Sequence, residues 1–95
     1  MVIKLEWDPK KAAENKKKHG VNFEEAESVF ADPNARLIHD PDHSDDEDRF
    51  ILLGISAELR ILVVCHCYRK KGEVIRLISA RKADKKEQKI YGSFL

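Results

Sequence analysis

The sequence predicts an α+β domain: two N-terminal helices, a four-stranded antiparallel sheet and a C-terminal helix. Three observations carry this. Apolar residues recur with helical spacing before Pro33 and after Ala83, and with strand spacing between them. The helical stretches open on Asp or Asn, and the first closes on Gly. The strand stretches follow one another through short polar connections, the mark of an antiparallel meander. A chain of 95 residues holds one core, so residues 1–95 read as a single domain.

The elements follow in order. "VIKLEW" alternates apolar and charged residues, which allows an extra N-terminal strand over Val2–Trp7. Asp8 suits an N-cap and Pro9 the first helical position, so a helix runs to about Lys18 and stops at Gly20, a residue free to turn left-handed. Asn22 caps a second helix with Glu25 at its third position, and Val21 can staple to Ala26. Phe23, Ala26, Val29 and Phe30 form its core stripe, and Asp32-Pro33 ends it. Strands then fall at about Arg36–His39, Arg49–Ile55, Arg60–Tyr68 and Val74–Arg81. Several are apolar on both faces ("FILLGI", "ILVVC"), so helices must cover one face and a partner chain can cover the other. Asp84 with Glu87 imitates a capping box for the last helix, whose inner face carries Ala83, Ile90, Tyr91 and Phe94.

Charged residues make up 37% of the chain and hydrophobic ones 42%, with a formal net charge of +1. So small a net charge argues against coating a long nucleic acid, but the charges are unevenly placed. "DPDHSDDEDR" is almost wholly acidic, whereas "RLISARKADKKEQKIY" is rich in cations. No stretch approaches the ~18 apolar residues of a membrane span. The first residues lack the apolar core of a signal peptide, so the expected location is cytoplasmic. Cys65 and Cys67 stand one residue apart in a strand, on one face, where a disulfide between them would strain the backbone; they read as thiols.

The last hairpin concentrates the chemistry. If its turn centres on Lys71-Gly72, Arg69 faces Val74 and Cys67 faces Arg76. Arg69 and Arg76 are then diagonal neighbours within reach of one anion. A one-residue slip would separate them. The same register puts His66, Tyr68, Ser79 and Arg81 on the opposite face. Arginine suits phosphate because its planar fork donates in parallel and keeps its charge. The alternative is that Arg49, Arg69 and Arg76 are ion-paired with Glu47, Glu73 and Glu87. His19, in "KKKHG" at a helix C-terminus, can act as a general acid or simply cap carbonyls. His39 and His43 flank the acidic loop, where Asp40, Asp42 and Asp45 could join them on a divalent metal, but the loop fails the calcium pattern at its sixth and twelfth positions. No nucleophile elbow, phosphate loop or dinucleotide fingerprint occurs. A helix-turn-helix reading fails because the second helix carries Glu24, Glu25 and Glu27, which phosphates repel.

Taken in series, "LEWDPKKAAENKKKHGVNFEEAESVFADP", "DEDRF", "ILVVCHCYR" and "IRLISARKADKKEQKIY" resemble the BrnT family of type II toxin–antitoxin toxins over nearly the whole chain. "KHGVNFEEA" and "IRLISARKA" are the most specific pieces. The resemblance implies a RelE-like fold and a ribonuclease that cuts RNA without metal or other cofactor and so blocks translation. It implies a BrnA-like ribbon-helix-helix antitoxin as partner, with DNA bound only through that antitoxin and no membrane involved. It implies catalytic roles for Lys18, His19, Glu47, Arg49, Arg69, Arg76 and Arg81, and RNA-binding roles for Lys82, Glu87 and Tyr91. This chain departs from the family at Asp84, where Thr or Ser is usual, and at Cys65-His66-Cys67, which replaces a plainer strand. A non-catalytic protein that only binds its antitoxin is the rival reading.

Overall fold

The computed structural model describes residues 4–39 and 49–93. Five strands form one sheet: β1 (Lys4–Glu6), β2 (Arg36–His39), β3 (Arg49–Ile55), β4 (Ile61–Arg69) and β5 (Val74–Lys82). Three helices accompany it: α1 (Pro9–His19), α2 (Phe23–Ser28), continued by a 3-10 turn at Val29–Ala31, and α3 (Lys85–Gly92). The strand order is β1-β5-β4-β3-β2. The sheet therefore departs from the all-antiparallel expectation: the extra N-terminal strand exists and runs parallel to β5. Antiparallel hairpins join neighbours in sequence, but β1 and β5 are separated by two helices and three strands, and only so long a connection brings two strands side by side in parallel.

Local chemistry sets the helix ends. The Asp8 carboxylate accepts from Lys10 N–H at 2.9 Å, and the Asn22 side chain accepts from Glu25 N–H at 2.7 Å. Gly20, at φ 71°, closes α1 by donating its N–H to the Lys16 carbonyl. Asp84 and Glu87 form the reciprocal capping box of α3, at 2.8 and 2.9 Å.

Core packing divides between the two sheet faces. On one face Val21, Phe23, Ala26 and Val29 pack on Leu52, Leu62, Val64, Ile75, Leu77 and Ala80. On the other, Tyr91 of α3 and Ala83 just before that helix pack against Leu53 and Val63, flanked by Ile51, Ile55 and Ile61. One end of the second face is thus covered from within the chain. Ile90 departs from its expected inward place and is 41% exposed, while Phe94 lies outside the described residues.

α1 is the exception to apolar packing. Its sequence, "PKKAAENKKKH", offers Ala12 and little else to a core. A polar clamp holds it instead: buried Asn15 donates to the carbonyls of Val21 and Ala80, at 2.9 and 2.8 Å, and accepts from Ala80 N–H at 3.0 Å. A single amide thereby fixes the basic last turn of α1 beside β5.

Candidate RNA-binding face and catalytic cleft

The register of the sheet builds the site. Arg49 pairs with Cys67, Cys67 with Arg76, and Arg76 with Glu6, so one row crosses four strands. Arg69 pairs with Val74, as the turn chemistry predicts, which makes it the diagonal neighbour of Arg76 on the same face. Strands stand ~4.8 Å apart, so Arg49 and Arg76 rise from backbones roughly 10 Å apart, astride buried Cys67. The Arg76 guanidinium lies 3.8 Å from the Glu6 carboxylate, a loose pair with both partners partly exposed.

A bulge changes the next part. Between Cys65 and His66 the register slips: His66 pairs with Leu77, but Cys65 pairs with Ser79, leaving Ile78 as the extra residue. Simple alternation puts Ser79 and Arg81 on the helix-covered face, opposite Arg76. The extra residue turns them over, and Ser79 with Cys65, then Arg81 with Val63, join the arginine face. A cleft of about 300 Å³ follows, with Ile51, Val63 and Cys65 as floor and Arg49, Ile78, Ser79 and Arg81 as walls. A second cleft, of about 240 Å³, opens on the other side of the same bulge, between Ile78–Ser79 and Lys11, Glu14, Asn15, Lys18 and His19 of α1. Five of the expected residues are therefore gathered around one stretch of β5: Lys18 and His19 from the helix side, Arg49, Arg76 and Arg81 from the sheet side.

Other expected residues lie differently. Arg81 is clasped by Glu87: its Nη1 and Nη2 donate to the two carboxylate oxygens, each at 2.8 Å. Glu87 also accepts from Asp84 N–H, so Glu87 shapes the arginine and offers RNA little of its own. The Arg81 fork beside Glu87 holds that carboxyl below its usual range, against the opposing effect of burial. For Arg76 and Glu87 the partners thus differ from the alternative expectation: Glu87 takes Arg81, and Arg76 meets Glu6. Tyr91 is 3% exposed, and its hydroxyl donates to Asp32 at 2.7 Å. Burial and the Asp32 carboxylate push the Tyr91 phenol up to about 12. A ring so enclosed packs the core and presents no face to a base. Lys82 lines a separate cleft with Leu59, Arg60 and Gln88. Glu47 and the metal reading of the acidic loop, with Asp40, Asp42, His43 and Asp45, lie outside the described residues.

Three participants escape a reading of the sequence. Glu6 joins the arginine row only because β1 runs parallel beside β5. Ser79 reaches the clefts only through the bulge. Buried Glu25 holds Arg60, accepting from its Nε at 2.9 Å and again from its Nη2, and from Ser56 Oγ at 2.7 Å, which ties α2 to the β3–β4 turn. Arg60 and Glu25 stand 35 residues apart, beyond any local signal.

On the other face His66 is fully buried among aromatic rings. Phe30 stands edge-on to it at 5.0 Å, Tyr68 at 5.3 Å, and Phe50 lies tilted at 6.3 Å. Burial pushes its imidazole below the ordinary value, partly offset by the Val64 carbonyl. The Cys-His-Cys triplet therefore divides: its thiols belong to the arginine face, and its histidine belongs to the core.

Comparison with known proteins accords with this architecture. A family model described as "Ribonuclease toxin, BrnT, of type II toxin-antitoxin system" matches residues 7–87. Among solved structures, the 1.1 Å crystal structure of the Brucella abortus ribonuclease toxin BrnT is similar, with a TM-score of 0.66 and 27% sequence identity. The match covers 88% of this chain and 100% of that one. No curated protein matches the chain. The matched residues include α1, α2, all the arginine-bearing strands and the start of α3, so the chain belongs to the BrnT family of ribonuclease toxins of type II toxin–antitoxin systems.

Proposed function

We propose that the protein is a metal-independent endoribonuclease that cuts RNA by internal attack of a ribose 2′-hydroxyl, in the manner of RelE-type toxins, and thereby inhibits translation. One observation carries the reading: the sheet register puts Arg49, Arg69 and Arg76 on one face, and the bulge at Ile78 brings Arg81 to the same face. Their planar forks suit phosphate oxygens, and an RNA strand would compete there with the carboxylates of Glu6 beside Arg76 and Glu87 beside Arg81. Internal attack at a phosphate needs cations around the pentacoordinate transition state, a base for the 2′-hydroxyl and an acid for the leaving 5′-oxygen. Arg69, Arg76 and Arg81 supply charge, with Lys18 as a further cation beside β5. His19 and Glu47 are the proton carriers in this scheme. A BrnA-like ribbon-helix-helix antitoxin neutralises the toxin in the cytoplasm and provides whatever DNA binding the complex has.

The test is cleavage of a synthetic messenger RNA by the purified protein in EDTA, beside an Arg76→Ala variant. Cutting by the wild type, reduced on the order of 10²–10³-fold in the variant, is the expected result. Equal cutting by both would remove Arg76 from the mechanism. No cutting by either would eliminate action on free RNA. The rival, a non-catalytic partner of the antitoxin, draws its support from the Arg81–Glu87 pair, which already occupies the fork of one phosphate arginine.

A further inference from the structure

Ser79 was not among the residues expected to act, yet it stands where the two clefts meet. It forms part of the wall of the Arg49–Arg81 cleft and part of the wall of the Lys11–Lys18–His19 cleft. Only the bulge brings it there: pairing with Cys65 puts its side chain on the arginine face, and Ile78, the residue before it, has no partner in the register. Bulges commonly serve to re-aim a side chain in this way. Ser79 is half-buried, and its hydroxyl makes no hydrogen bond among the described residues. It is a neutral donor with basic residues on both sides, Arg49 and Arg81 from the sheet and Lys11 and Lys18 from the helix. A phosphate group suits that position, since its oxygens accept from the hydroxyl and are drawn by the cations on either side, which outnumber the one carboxylate, Glu14, in the helix-side cleft.

We propose that the scissile phosphate of the RNA sits over the Ile78–Ser79 bulge, with the Ser79 hydroxyl donating to a non-bridging oxygen. The strand then crosses β5, one neighbouring nucleotide in each cleft. The cleft between α1 and β5 puts His19 beside the reacting phosphate, and the cleft over β3 and β4 puts the arginines on its other side. Ser79 is a phosphate-contacting residue in this arrangement and takes no proton. The proposal rests on the ribonuclease reading for its substrate, but its anion site stands or falls separately.

The experiment compares wild type, Ser79→Ala and Ser79→Thr in two measurements. Inorganic phosphate is titrated while the backbone amides of Ile78, Ser79 and Ala80 are followed by NMR, and cleavage of a short RNA is measured as kcat and KM. The expected result is that phosphate shifts those amides in the wild type. The Ser79→Ala change weakens phosphate binding and lowers kcat/KM by roughly 10–100-fold, as for loss of a hydrogen bond to a charged group, and Ser79→Thr restores both. An unchanged thermal melt for Ser79→Ala shows that the fold is intact. If RNA is cut but Ser79→Ala matches the wild type in both measurements, the seat is overturned and the ribonuclease reading survives. If the wild type cuts no RNA but phosphate still shifts the bulge in a Ser79-dependent way, the seat survives and the ribonuclease reading fails. Phosphate shifts confined to other strands would overturn the seat as well.

Discussion

Gly54 shows how tightly single positions are constrained. A Cβ there would stand 2.9 Å from each of Ala35 Cβ, Asp32 Oδ2 and Val29 Cγ1. Its φ is unexceptional, so the need for glycine is one of space, because the 3-10 turn and the chain leading to β2 lie directly on β3. Asp32 cannot easily yield, since it accepts from Ile55 N–H at 2.9 Å and from the Tyr91 hydroxyl. Burial raises the Asp32 pKa, but the hydrogen bonds from Ile55, Asn34 and Tyr91 outweigh it and leave the carboxyl lowered. Gly54→Ala is therefore expected to destabilise the fold by about 1–3 kcal/mol, read from the midpoint of urea unfolding. A wild-type midpoint in that variant would mean that the turn moves freely, against this packing. No local sequence signal distinguishes Gly54 from any other strand glycine, because the three atoms it must avoid belong to residues 19 to 25 positions earlier.

Among the elements, those with local signals were legible and those defined by distant partners were not. Asp8, Asn22 and Asp84 announce their helices because a cap and the N–H it accepts lie within three residues. The turn at Lys70–Gly72 revealed its register for the same reason, and Arg69 meets Val74 as expected. The bulge left no such trace. Alternation in "VIRLISARK" is equally consistent with a straight strand, and where an extra residue is accommodated depends on what β4 offers opposite. That is why alternation alone points Arg81 to the wrong face. The attachment of α1 was hidden too, since Asn15 looks like one more polar residue in a polar helix. Its replacement tests the clamp: Asn15→Ala strands the Ala80 N–H and carbonyl in a buried place, at a cost of roughly 2–4 kcal/mol in chemical denaturation. Loss of less than about 1 kcal/mol would mean that apolar contacts, not the amide, hold the helix.

For the molecule as a whole, two buried groups on different elements make stability depend on acid. His66 is held neutral by the rings around it, whereas in the unfolded chain its imidazole takes a proton as pH falls below about 6.5. Folding therefore loses stability from that point downward. Glu25 acts in a lower window. Its carboxylate, held by Arg60 and Ser56, has its pKa lowered from 4.5 to about 2. Its contribution is complete above the upper value and disappears as pH falls toward the lower. Unfolding midpoints measured against pH should fall in two stages, the second on the order of 2–3 kcal/mol. Glu25→Gln should shrink the second stage to the share left to Asp32 and Glu87, whose carboxyls are also held low, and should keep the first. A single smooth decline in both proteins would contradict the assignment. Neither group was legible as a pH-sensitive element, because each is titrated by its surroundings: four aromatic or carbonyl neighbours for His66, and a guanidinium 35 residues away for Glu25.

The parallel pairing of β1 with β5 has a temporal meaning. Residues are joined on the ribosome from first to last, so Glu6 waits for Arg76, seventy positions further on, and the edge of β1 stays open meanwhile. Until β5 has been made, the growing chain holds neither Arg76 nor Arg81, and Cys67 has an arginine on one side only. The arginine face of such a chain therefore takes shape only when its last strand joins the sheet.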